Sequence, residues 1–152
     1  MLSRIIATAV ALCVFSAPTA LVSSAATPQE VLKKLAGTWE IDEGVNQGEE
    51  VSEEDLEGTT VVITDKTIVT YDKDQKETYR ATFTLDTSKR PIQIDMTAKI
   101  KEGASKQALG ILEFDDDDEF TICYALPGAE RPTKFKSPPG SKIMLFECER
   151  DD

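Results

Sequence analysis

Apolar and polar side chains alternate along much of the chain. Tyr79, Ala81, Phe83 and Leu85 alternate with Thr78, Arg80, Thr82 and Thr84; Ile92, Ile94, Met96, Ala98 and Ile100 alternate with Gln93, Asp95, Thr97 and Lys99. A period of two puts one row of side chains in a core and the other in water, the mark of half-buried antiparallel strands. β-Branched runs at 59–64 and 67–71 flank Asp65-Lys66, a two-residue hairpin connection. Residues 38–45 begin the series, and 109–114, 120–125 and 142–148 complete it, with turn-rich stretches at 86–91, 101–107 and 126–141. The sum is about eight strands, the number whose closed barrel is just wide enough to be filled by side chains or to hold one small ligand. The predicted fold is therefore all-β, an up-and-down antiparallel barrel.

Two helical signals accompany the strands. Thr27-Pro28-Gln29-Glu30 has the form of a capping box with proline at the first helical position; Val31, Leu32 and Leu35 give the helix an apolar side, and Gly37 ends it. Ser52-Glu53-Glu54-Asp55 predicts one helical turn after the first strand, ending near Gly58.

The first residues change the picture of where the fold begins. Arg4 precedes an apolar run from Ile5 to Val22, and Ser23-Ser24-Ala25-Ala26 offers small residues at cleavage spacing, the pattern of a secretory signal peptide. The expected division is a signal peptide at 1–26 and a single domain at 27–152, in a secreted or periplasmic setting with no membrane attachment after cleavage. With Arg4 removed, 16 basic residues face 28 acidic ones, a net charge of −12. Nucleic acid is excluded as a partner on that balance, because it needs a basic footprint. The chain has no histidine, which excludes imidazole bases, histidine triads and histidine metal sites. No cofactor motif is present, and a monomer is expected.

Three groups of residues invite a chemical reading. The run FDDDDEF, from Phe114 to Phe120, fails as an EF-hand: counted from Asp115, the sixth position is Phe120 rather than glycine and the twelfth is Leu126 rather than glutamate. The simpler expectation is a hairpin tip with its acids in water and no metal. Cys123 and Cys148 are the cysteines of the mature chain, and a disulfide between them, a reactive thiol and a buried apolar role all remain open. Parity weighs on the bridge, since Cys123 falls opposite the face carrying Phe120, Ile122 and Tyr124, while Cys148 shares its face with Met144 and Phe146. Finally, Trp39 lies in the first strand and Arg150 near the end of the last. Those strands are neighbours in a closed barrel, so the guanidinium can cover the indole as a structural latch.

Gly37-x-Trp39 at the first strand, a short helix before it, about eight antiparallel strands and a terminal arginine resemble the lipocalin or calycin pattern. More narrowly, the chain resembles a planctomycete family of uncharacterised, lipocalin-like secreted domains, through LAGTWEI (35–41), VSEEDLEG (51–58), TFTLDTSKRPIQID (82–95), LGILEFD (109–115) and CYALPGAERPTKF (123–135). The order and spacing of these stretches carry the resemblance over residues 31–150. Where that family has a short Asp-Gly type turn, this chain has the acids 115–118. The resemblance implies a barrel and, as in lipocalins at large, a small apolar or amphipathic ligand, with no catalytic residues and no assigned activity. Tyr79, Phe83, Ile94, Met96, Leu112, Ile122 and Tyr124 are the candidate barrel-lining residues. If such side chains fill the barrel completely, the alternative is a protein-interaction or inhibitor-like module that meets its partner through the long loop at 126–141.

Overall fold

The computed structural model describes residues 26–100 and 103–151; the expected signal peptide lies outside them apart from Ala26. Helix α1 (Pro28–Leu35) is followed by strand β1 (Gly37–Asn46), a two-residue strand β2 (Glu49–Glu50), the helical turn α2 (Glu53–Leu56), and strands β3 (Thr60–Ile63), β4 (Thr67–Tyr71), β5 (Glu77–Asp86), β6 (Ile92–Lys99), β7 (Ser105–Phe114), β8 (Glu119–Ala125) and β9 (Ile143–Arg150). Every strand pairing is antiparallel. The order β1-β3-β4-β5-β6-β7-β8-β9 closes through pairing of β9 with β1, giving an eight-stranded lipocalin-like barrel with β2 as an extra ribbon on β1.

Local chemistry accounts for the boundaries. The Thr27 hydroxyl accepts from the Glu30 amide while the Glu30 carboxylate accepts from the Thr27 amide at 2.8 Å, so α1 starts on a complete capping box. The Thr64 amide donates to the Thr67 carbonyl at 2.9 Å, closing the two-residue turn at Asp65-Lys66. Strand β7 begins at Ser105, four residues before the apolar signal, because Ser105, Lys106, Gln107 and Ala108 stay in register with Lys99, Ala98, Thr97 and Met96.

Helix α1 plugs one end of the barrel. Val31 and Leu35 are buried there against Trp39 and Phe120, and the indole meets the Phe120 ring edge-on at 4.6 Å. Fully burying side chains of this size contributes about 1.5–3 kcal/mol each. The core therefore sits toward the plugged end, under the helix.

Candidate functional site

The plugged end is held by Arg150. Its guanidinium carbon lies 4.1 Å from the centre of the Trp39 ring, and the indole N–H donates to the Leu35 carbonyl at 2.9 Å. Nη2 of Arg150 donates to the Lys34 carbonyl at 2.7 Å and Nη1 to the Ala36 carbonyl at 3.4 Å. These are carbonyls at the end of α1, where free acceptors and the negative pole of the helix favour a cation. Gly37 makes the crossing feasible: its φ is 144°, a value glycine adopts readily, and a Cβ there would lie 2.7 Å from Arg150 Nη1.

The acidic run is the exposed turn between β7 and β8 that the sequence predicts, with Asp115 to Asp118 all open to solvent, and from there it also reaches this assembly. Asp118 accepts from Arg150 Nε at 3.2 Å, and Asp117 pairs with Lys34 Nζ at 3.0 Å. Asp115 accepts from the Thr121 hydroxyl at 2.8 Å, and Asp116 accepts from the Asp118 amide at 2.8 Å. The sequence hid this because Lys34 and Arg150 are far from the turn along the chain and meet it only when the barrel closes. Among the described residues, no group of three histidine, cysteine or acidic side chains could hold a metal ion.

The cysteines are not bridged, and both are free and buried. Cys148 pairs with Phe120 on the inward row, whereas Cys123 pairs with Leu145 on the outward row. A disulfide cannot be made through the sheet from opposite faces. Outside the barrel, residues 126–142 fold down over Cys123, whose thiol lies 3.6 Å from the Lys134 carbonyl and 3.7 Å from that of Lys136. Arg131 pins the same loop to β6 and β7, donating to the Gly110 carbonyl at 2.7 Å and the Ile94 carbonyl at 3.1 Å and pairing with Asp95. The long loop is thus partly a cover for the sheet.

Toward the other end the barrel is not filled. An apolar cavity of about 240 Å³ lies between the Leu35–Phe120 floor and a mouth at Thr70, Tyr79, Tyr124 and Phe146. Of the candidate lining residues, Tyr79, Met96, Leu112, Ile122 and Tyr124 face this space. Phe83 and Ile94 do not line it; they are buried in the packed part of the core. Ile41, Ile68, Thr70, Phe146 and Cys148 also line it, and sequence reading passed over them as wall residues although parity with their neighbours was available as a signal. Small side chains stand on the inward rows here: Thr70, opposite Tyr79, lines the cavity, and Ala81, Ala98 and Ala108 share the inward rows of β5, β6 and β7.

The walls carry no charge at neutral pH. Burial pushes the Cys148 thiol up to about 12, with the Glu147 carboxylate adding to the effect, so it is a small apolar wall group and not a thiolate nucleophile. Burial also raises the phenols of Tyr79 and Tyr124, and for Tyr124 the neighbouring Tyr79 adds to the rise. Of the two large hydrophobic side chains most open to solvent among the described residues, Tyr79 (37%) lies at this mouth and Ile100 (41%) lines a depression that Tyr79 shares.

Fold and site together define an antiparallel β-barrel with one plugged end and an apolar cavity toward the other. Comparison with protein-family models, with curated proteins and with solved structures found no match to this chain.

Proposed function

We propose that the chain is a secreted or periplasmic binding protein that carries a small apolar or amphipathic molecule in the open half of its barrel and catalyses no reaction. The observation that carries this reading is the cavity of about 240 Å³ with apolar walls. An apolar cavity of ~150 Å³ stays dry and accepts a benzene-sized guest, so the larger space here suits a guest of one or two rings or a short chain. The neutral walls support simple partition of such a guest out of water. The closed lipocalin-like barrel agrees with this reading.

The interaction-module alternative is the weaker one, since it rests on a filled barrel and a free loop, and the 126–142 segment is engaged by Arg131 and covers Cys123. Native mass spectrometry of gently purified protein, with titration of the neutral fluorophore N-phenyl-1-naphthylamine, tests the proposal. A retained small molecule or saturable uptake at one site per chain is expected. Neither retention nor uptake would refute it.

A further inference from the structure

The mouth of the barrel carries a feature that an apolar cavity alone does not require. Lys106 is in register with Ala98, and Ala98 packs against the inner core. Residues directly opposite on neighbouring strands share a face, so Lys106 belongs to the inward row of β7, one position beyond Ala108 at the open end. Together with Lys99, Ile100, Leu126 and Pro127 it lines a depression whose inner wall is Tyr79 and Tyr124. The same two tyrosines line the apolar cavity, so the two spaces are adjoining. Among the described residues the ion pairs of the protein leave out both Lys99 and Lys106, whereas neighbouring Arg80 is taken by Glu77. What distinguishes Lys99 and Lys106 from the other lysines is their place beside the apolar opening, in a chain with 28 acidic residues and 17 basic ones.

We infer that the guest is an anionic amphiphile: a short apolar chain in the cavity and a compact anionic headgroup, a carboxylate, at the mouth, held by the Lys106 ammonium and the hydroxyls of Tyr79 and Tyr124. The inference rests on the reading that the barrel holds an apolar guest and adds the charge of its polar end. Three donors on one side and an acceptor-only headgroup on the other are matched in kind, since a carboxylate accepts hydrogen bonds through both oxygens and a lysine ammonium only donates. A water molecule takes about 30 Å³ in the liquid, so the cavity of about 240 Å³ has room for about eight groups of that size, and an eight-carbon chain is the probe of matching length.

Calorimetric titration of the whole mature chain with octanoate, 1-octanol and octylammonium, at one pH and ionic strength, tests the headgroup. Octanoate is expected to bind about tenfold more tightly than 1-octanol, the size of a charge-assisted hydrogen bond, and octylammonium most weakly. Lys106→Met, which keeps the apolar stem at an exposed site, should remove the preference for octanoate over octanol and leave uptake of N-phenyl-1-naphthylamine unchanged. Tyr79→Phe should reduce the preference in part. Equal binding of octanoate and octanol, stronger binding of octylammonium, or a preference that survives Lys106→Met overturns the inference while leaving the cavity reading in place. Loss of both octanol and fluorophore binding in the unmodified protein overturns both.

Discussion

The two ends of the barrel are built on opposite rules. At the plugged end nearly every polar group is committed: the indole N–H to the Leu35 carbonyl, the Arg150 guanidinium to the α1 carbonyls and Asp118, Lys34 to Asp117. At the open end aromatic hydroxyls and lysines stand beside empty apolar space. Satisfied polar networks on a packed core give rigidity, while unfilled space and uncommitted donors leave room for a guest. Under the proposed function, stability is concentrated at one end and recognition at the other, and substitutions should separate the two.

Trp39→Ala should have the largest effect. It removes a fully buried indole, its hydrogen bond and its contact with Phe120, and is expected to cost about 3–5 kcal/mol in denaturant unfolding. An unchanged midpoint would show that the plug does not anchor the barrel. Arg150→Ala should follow, at about 2 kcal/mol, because the cation over the ring and the hydrogen bonds to α1 are lost together. Arg150→Lys should recover only part of that, since an ammonium lacks the planar fork that reaches the ring and the carbonyls at once. Tyr79→Ala at the mouth should change stability by under about 1 kcal/mol and yet alter fluorophore affinity. The reverse outcome, a large stability loss with affinity unchanged, would erase the distinction between the ends.

The smallest effect concerns the outer acids. Glu149 stands between Glu40 and Glu119 in register, and Glu147 pairs with Glu43. Partial burial, then repulsion from Glu43, Asp115, Glu119 and Asp42, raises the Glu147 carboxyl; Glu119 is raised by desolvation and by Asp115, Asp116, Glu149 and Asp42. A carboxyl raised on folding binds its proton more tightly in the native state, so its contribution to stability falls as pH rises through its titration and is unfavourable at neutral pH. Glu147→Gln should raise the melting temperature slightly at neutral pH. That gain should disappear below the ordinary carboxylate range, where both side chains are neutral. A constant gain across pH would point to packing and not charge.

Much of the barrel was legible in the chain because half-buried strands alternate visibly. The rows at 79–85 and 92–100 and the capping box at Thr27 give their elements within a residue or two. β2 was invisible, being two exposed glutamates with no apolar residue. The first residues of β7 were hidden for the same reason, since Ser-Lys-Gln has no alternation and is made a strand by pairing with β6. That omission concealed the inward placement of Lys106. The cavity itself cannot be read from a list of apolar residues, because it depends on how side chains from separate strands, such as Ile41, Thr70, Tyr79 and Phe146, come together when the barrel closes. Cysteine parity, in contrast, was visible in the sequence and pointed away from the bridge.

The most direct measurement is equilibrium titration of N-phenyl-1-naphthylamine into the unmodified protein and into Thr70→Phe, which places a ring in the cavity from an inward position of β4. One saturable site in the unmodified protein, lost at least about tenfold in Thr70→Phe with stability held within about 1 kcal/mol, is expected if the open half of the barrel is the binding site. Equal binding by both proteins, or saturable binding by neither, would contradict it.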